Sequence, residues 1–449
     1  MKYCKRCLYP ENHPYGIIFD EDGVCSGCRI HEEKDKIDWD KRFQKLNKII
    51  DTIINSSSKK SYDCVVPVSG GGDSYFVVDV VKNKLGLNPL LVNYNIQYNT
   101  KVGIRNLANL TTVFDCDMIS STLSPELVKK VTRHTLKHYG SMYWHVLAGQ
   151  STFPVQTAVK FRIPLIIWGL NGWSDQTGMY SHLDNAEMTE RCRNEHNLFG
   201  VKAIDILRKS NEITSREILN FTYPNDRDIE RVGVRGIYLS NFIRWDSKSQ
   251  HEKMINLYGY ETCPQQRTYN SYEDVHCKHS AGIHDYIKFI KYGYSKVTDH
   301  ACKDIRLRRL EREKGIDLVK KYTFVEPKDL DIFLDWVNLT RNQFYKCIWE
   351  RRDLRIWEKT KKGKWILKDN ISNHLNDEEA QKNKLSLTSQ NCNYINTTKS
   401  EFEDHKTKYI LMGRVYIDKK NYGSIKDRPK DGFYTQRKWE KPSIKKDTK

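Results

Sequence analysis

The chain has 449 residues, 75 of them Lys or Arg against 57 Asp or Glu, for a formal net charge of +18. That length suits two or three domains around a large core. The charge favours polyanionic partners (nucleic acid, nucleotides or phosphorylated sugars) without choosing among them. No apolar run reaches the ~18 residues of a membrane span, and no apolar stretch follows Met1-Lys2-Tyr3-Cys4 as a signal peptide requires, so a cytoplasmic protein is expected. Its 12 cysteines are then thiols or metal ligands, not bridges.

In chain order, Cys4-x2-Cys7 and Cys25-x2-Cys28 come first, a pair of knuckles separated by 17 residues. This spacing predicts a four-thiolate zinc site within residues 1–32, closed and therefore structural, although tetrahedral thiolate sites also hold iron. His13 and His31 lie nearby, but four cysteines complete the shell. A helix over about Asp38–Ile54 and a Ser- and Lys-rich linker fill residues 33–61.

Residues 62–203 then alternate. The predicted strands are Tyr62–Val68, Pro89–Asn95, one around Met118, and Leu165–Gly169. The predicted helices are Ser74–Leu85, Lys101–Phe114, Pro125–Tyr139 and Val146–Phe161. The pattern implies α/β architecture, a parallel sheet flanked by helices. Ligands in such sheets sit beyond the carboxyl ends of strands, so the loops after Val68, Asn95 and Gly169 should face one cleft. Asn93 and Asn95 are candidates to meet an adenosine there. Trp168 belongs either to the cleft wall or to the core.

The first of these loops, Val68-Ser69-Gly70-Gly71-Gly72-Asp73-Ser74, joins an apolar strand to an apolar helix. Three glycines leave nothing between main-chain N–H groups and an anion, and the helix N-terminus adds partial positive charge. Ser69 and Ser74 supply hydroxyls, and the Asp73 carboxylate suits a magnesium ion held against phosphate oxygens. The Gly-Lys-Ser/Thr ending of kinase and GTPase loops is missing. Ser-Gly-Gly-x-Asp-Ser instead resembles the pyrophosphate loop of the ATP-pyrophosphatase enzymes. Many of those carry lysine where this chain has Gly72, so another cation should replace it.

Residues 204–370 read as mostly helical. Within them stands His284-Asp285-Tyr-Ile-Lys288, with His284 and Lys288 on one helix face, followed by Asp299-His300 and Asp304-Ile-Arg306. Arg306 and Arg309 are spaced to face a common anion. Cys263, His276, Cys277, His279 and His284 fit no closed metal site. Phe333, Leu334, Trp336, Val337, Phe344, Ile348 and Trp349 mark a packed helical segment. Residues 371–449 read as a polar, loosely ordered extension, with one candidate strand at Tyr409–Ile417.

The cysteine knuckle, the glycine turn and the His284–Arg306 stretch together resemble the N-acetyl sugar amidotransferase family of the PP-loop ATP-pyrophosphatase superfamily. The resemblance covers about residues 1–370; its members make acetamidino sugars for lipopolysaccharide O-antigen and flagellin glycans. It implies an adenine-nucleotide alpha-hydrolase-like fold and the use of ATP, Mg2+ and structural Zn2+. It also implies an acetamido sugar substrate of the nucleotide-linked kind, with the carrier (UDP, CMP or none) left open by the sequence. Val68 to Ser74, Asn93, Asn95 and Gly169 would bind ATP and its metal. Lys288 and Arg306 would neutralise charge at the α-phosphate, and Asp285 or Asp299 would handle the ammonia proton. One departure is Trp168-Gly-Leu-Asn, where an acidic residue is expected after the glycine. Nothing in the chain resembles a glutaminase, so ammonia is expected from a glutaminase and a cyclase-like channel subunit, both similar to those of histidine biosynthesis. The rival is a tRNA-modifying thiolase, which needs further paired cysteines; no Cys-x2-Cys follows Cys28. A zinc-knuckle scaffold with a dead loop is the non-enzymatic alternative, and intact Ser69, Asp73 and Ser74 argue against it.

Overall fold

The computed structural model describes residues 1–55, 61–382 and 385–386. A five-stranded, wholly parallel sheet organises the chain: β1 (Cys64–Pro67), β2 (Pro89–Tyr94), β3 (Met118–Ser121), β4 (Leu165–Trp168) and β5 (Arg235–Tyr238), in the order β3-β2-β1-β4-β5. The order reverses direction between β1 and β4, which places the topological switch point at their carboxyl ends. Among the described residues no helix is long and apolar enough to cross a membrane.

Strand side chains alternate between two cores, as a period of two demands. On one face Cys64, Val66, Leu91 and Ile167 pack with α2 (Trp39–Asn55), α3 (Gly72–Asp79) and α4 (Lys101–Phe114). On the other, Val65, Leu90, Val92 and Ile166 meet Val155 and Ala158, which lie on a long helix between β3 and β4. Before α2 lies α1 (Ser26–Lys34); after α4 come α5 (Pro125–Tyr139), that long helix α6 (Trp144–Phe161), and α7 (Gly172–Thr177). Three short helices, α8 (Ala203–Lys209), α9 (Ser215–Ile218) and α10 (Asp226–Val232), lead to β5, and α11 (Ser247–Tyr258) packs back on α3. An irregular segment then runs to α12 (Ile283–Tyr292), α13 (Lys296–Arg306), α14 (Arg312–Tyr322), α15 (Leu330–Val337) and α16 (Arg341–Trp349).

Three differences from the sequence reading have physical causes. β5 lies inside the stretch read as helical, so the sheet draws on residues beyond 203. Four residues with a glycine give neither an apolar run nor a clear alternation, and β5 is an edge strand paired along its length with β4, with one isolated bridge from Ile237 to Glu187 beside it. Gly236 is needed there, because a Cβ would lie 2.6 Å from the Met188 side chain. Residues Trp357–Lys359 and Trp365–Leu367, read within the packed helical segment, form a hairpin (β6 and β7) around a Lys-Lys-Gly turn. The start of the polar extension is docked: Ile371 is buried against the N-terminal knuckle's core, and the Gln381 N–H donates to Lys5 O at 2.9 Å. The linker at 56–60 and the candidate strand at 409–417 lie outside the described residues.

The knuckle itself packs far along the sequence. Cys4, Leu8, Tyr9 and Val24 share a core with Val297, Ala301 and Ile305 of α13 and Ile316 and Val319 of α14.

Candidate functional site

The glycine turn leaves β1 at the switch point. Val68 N–H still belongs to the sheet, donating to Val92 O at 2.9 Å, and the chain then turns on Gly70 at φ +81°. Ser69 N–H donates to Ser74 Oγ at 3.0 Å, and Gly71 N–H reaches Ser69 Oγ at 3.4 Å, so both serines shape the turn. Helix α3 begins at Gly72 behind an N-cap, Gly71, that has no side chain to close its N–H groups. Asp73 stands in the first turn, 43% exposed, with Oδ1 2.8 Å from His251 Nε2. The space beside each glycine is spoken for. A Cβ on Gly70 would lie 2.7 Å from Gly103 O, one on Gly71 3.2 Å from His276 Nδ1, and one on Gly72 2.7 Å from the His251 ring.

The other loops at this end of the sheet serve as scaffold. Asn93 Nδ2 donates to Val68 O at 2.8 Å and so fixes the end of β1. Asn95 Oδ1 accepts from Gln97 N–H and Asn99 Nδ2, organising the turn before α4. Both asparagines are buried and engaged, unlike the adenosine contacts anticipated for them. Gly169 lets Trp245 and Val77 approach to 3.1 Å of its Cβ position, and Trp168 packs mainly against the second sheet core. Asn171 caps α7 through Trp173 and Ser174 N–H. Farther on, Asp175 is buried against Lys34 at 2.5 Å and His31 at 3.3 Å.

Helices α12 and α13 reassign several predicted roles. Asp285, 1% exposed, accepts from Arg267 Nε through one oxygen and from Lys296 N–H through the other, which leaves neither for an ammonia proton. It is a buried anchor for the start of α13. Arg306 is turned to the cysteines, not to the glycine turn: its guanidinium donates to the carbonyls of Asp175 and Gln176 at 3.0 and 2.9 Å and to Cys25 Sγ at 3.3 Å. Arg309 instead pairs with Asp246 and Asp304, so the two arginines face no common anion. Lys288 and Asp299 are brought together as a half-buried ion pair, with the Tyr9 hydroxyl donating to Asp299 at 3.1 Å.

Next to the loop lie groups that no motif announced. His251 arrives from α11, and Lys303 from α13. Lys303 pairs with Glu273 at 2.7 Å; burial opposes its charge, but Glu273 and Asp175 raise its pKa, with Asp73 adding to them. Lys296 is bound to Asp274 and Ser280. Burial would push Asp274 up, but Lys296 and His276 hold it below the usual carboxylate range. Burial lowers the pKa of His276, with Lys296 adding to that effect and Asp274 opposing it. Lys296, Asp299, Lys303 and Arg306 follow helical spacing, a signal visible in the sequence; the approach of His251 and His276 to the glycines was not.

The four cysteines converge as their spacing predicts. Cys7 and Cys25 Sγ are 3.6 Å apart, Cys4 and Cys28 Sγ 3.9 Å, and all four ligand atoms lie within 4.8 Å of one another. A tetrahedral zinc with bonds of about 2.3 Å needs sulfur separations of about 3.8 Å. Backbone N–H groups of Arg6, Cys7 and Cys25 point at Cys4 Sγ from 3.3 to 3.4 Å, which stabilises thiolate. The cluster is compatible with zinc. Among the described residues it is the one group of at least three His, Cys, Asp or Glu side chains placed to hold a metal, so His276, Cys277, His279 and His284 form no second centre.

Residues 266–372 match the family model of the C-terminal domain of WbpG-like LPS biosynthesis proteins. A stretch of 118 residues is 26% identical to an uncharacterized protein of Methanocaldococcus jannaschii; the match takes in 26% of this chain and 41% of that relative, so less than half its length is spanned. Among solved structures, the NH3-dependent NAD synthetase from Campylobacter jejuni, in complex with nitrate, is 16% identical with a TM-score of 0.27, over 44% of this chain and 92% of that one. The NMN synthetase from Francisella tularensis is 13% identical with a TM-score of 0.24, over 49% and 95%.

Proposed function

We propose that this chain, whose residues 266–372 match a WbpG-like LPS biosynthesis domain, is an ATP-dependent amidotransferase that converts the acetamido group of a nucleotide-linked sugar into an acetamidino group. The observation that carries the reading is the bare-glycine turn at the switch point, opening α3 with the half-exposed Asp73 at its mouth. Amides, a helix N-terminus and a carboxylate at the end of a parallel sheet suit a polyphosphate with its magnesium ion.

An amide carbonyl is a poor electrophile and its oxygen a poor leaving group, so activation must come first. The acetamido oxygen attacks the α-phosphorus of ATP, the bond to the β-phosphate oxygen breaks, and pyrophosphate leaves. Ammonia adds to the imidate carbon, the carbon–oxygen bond breaks with AMP departing, and nitrogen loses a proton to a base. The Gly70–Gly72 amides hold the departing pyrophosphate. Asp73, steadied by His251, would hold magnesium, which supplies charge neutralisation at the phosphates. Lys288 and Asp299 remain the candidates from α12 and α13 for the reacting end. The four thiols fit zinc in a structural role, because no ligand position is left open.

Ammonia would come from a glutaminase and a cyclase-like channel subunit. ATP and reduced thiols suit the cytoplasm. The thiolase reading is weakened by the lack of any Cys-x2-Cys pair beyond Cys28. The test is a mass-spectrometric assay with ATP, magnesium, ammonium and a panel of nucleotide-linked acetamido sugars. A product with an imino group in place of the acetamido oxygen, together with AMP and pyrophosphate, is expected. AMP formed only in the presence of tRNA would favour the thiolase.

A further inference from the structure

The loop lacks the lysine that many pyrophosphate loops carry at its fourth position, and the structure explains why Gly72 cannot bear one as it stands. The imidazole of His251 fills the space, 2.7 Å from where a Cβ would be, while its Nε2 holds Asp73. Another donor has to meet the phosphates.

We propose that His276 is that donor, touching a β- or γ-phosphoryl oxygen of the diphosphate seated on Gly70–Gly72. Two observations point to it. Its Nδ1 lies 3.2 Å from the position of a Cβ on Gly71, the middle residue of the bare turn. That same nitrogen is buried and has no hydrogen-bond partner in the protein, an arrangement that costs free energy unless a ligand completes it.

The ring is also held in place before any ligand arrives. His276 O accepts from Thr100 N–H at 3.1 Å, and Thr100 Oγ1 donates to Val275 O, so the segment is laced to the N-cap of α4. Gly103, in the first turn of α4, admits the His276 backbone at 2.4 Å from its own Cβ position. Two helix N-termini, of α3 and α4, therefore meet at the loop with the imidazole between them. In the tautomer that carries its proton on Nδ1, His276 donates to phosphate. Position 276 thus supplies from another part of the chain what position 72 does in loops that carry lysine.

The proposal rests on the pyrophosphate-forming reading above, and magnesium pyrophosphate alone is the probe for both. Its affinity is measured by calorimetry for the full chain, for His276→Ala and for His276→Asn, whose amide nitrogen can occupy the place of Nδ1. Cysteine-bound metal and circular dichroism establish that each variant is folded. Wild-type protein is expected to bind, His276→Ala to bind about tenfold more weakly, and His276→Asn to recover most of that loss. A purely structural histidine would not be rescued in this way. Equal affinity for wild type and His276→Ala, or an Asn variant as weak as Ala, would overturn the role of His276 and leave the loop assignment standing. Absence of binding by the wild-type protein would instead remove the loop assignment, and this inference with it.

Discussion

The cysteine centre and the glycine turn both grow from short motifs, yet the motifs complete them to different degrees. At the cysteine centre all four ligands, and the N–H groups that support them, lie within residues 4–28. Arg306 and Cys302, both on α13, come from elsewhere to meet the sulfurs. At the turn, the motif supplies amides, two serines and one carboxylate, but the groups that enclose it come from 178 residues away in the case of His251 and from the irregular segment before α12 in the case of His276. A metal shell needs few ligands and can be local. A site that clasps a polyphosphate needs walls, and walls come from tertiary structure.

The largest effect expected from breaking this contrast is at the cysteines. Cys25→Ser should abolish stoichiometric metal and unfold the knuckle with the α13–α14 core it shares, because structural zinc is worth of order 10 kcal/mol. Metal analysis and thermal melting check this; full metal content with an unchanged melt would contradict it. At the turn, Asp73→Asn should preserve the fold and lower pyrophosphate-forming turnover about a hundredfold, the scale of losing one preorganised electrostatic group. Turnover within threefold or so of wild type would be incompatible with the role given to Asp73.

A pH titration sharpens the picture of the walls. Burial pushes His145 down to about 3, and burial with Lys296 and Lys288 pushes His284 down to about 3. Each is neutral when folded, whereas an unfolded histidine takes a proton below its ordinary 6.5. The unfolded state thus binds more protons over that window, and stability is lost as pH falls from about 6.5 towards about 3, by up to about 2.7 kcal/mol per pH unit for the two. Denaturant unfolding at two pH values checks the sign; greater stability at the lower pH would refute it.

Smaller effects separate the two regions further. Gly72→Ala should cost about 1–3 kcal/mol through its clash with the His251 ring, and His251→Ala should relieve most of that. Strict additivity in the double-mutant cycle would exclude the contact as the cause. Arg306→Lys should weaken metal binding about tenfold, since lysine cannot span the Asp175 and Gln176 carbonyls and Cys25 together. A chelator competition shows it, and an unchanged metal affinity would mean that the guanidinium contributes only packing.

Much of this was legible in the sequence for reasons that are local. Helices α4 and α5 begin and end at Lys101–Phe114 and Pro125–Tyr139, as their apolar periodicity requires. The cysteine spacing and the strand–glycine–helix junction are equally short-range signals. β5 was hidden because an edge strand of four residues has little pattern to show. Arg306 and Asp285 were misassigned because helical spacing tells which residues share a face, and not what that face meets. Asn93 and Asn95 were placed at the correct end of the correct strand, but their amides bind the chain itself. His251 and His276 carry no pattern at all, since their proximity to the glycines exists only after the sheet has closed.

In the proposed reaction, main-chain amides over Gly70–Gly72 clasp the two terminal phosphoryl groups while adenylate moves to a sugar. Phosphorus NMR of ATP turnover, with magnesium, ammonium and a nucleotide-linked acetamido sugar, tests it most directly. AMP and pyrophosphate in equal amounts are predicted. ADP with orthophosphate would rule that reaction out.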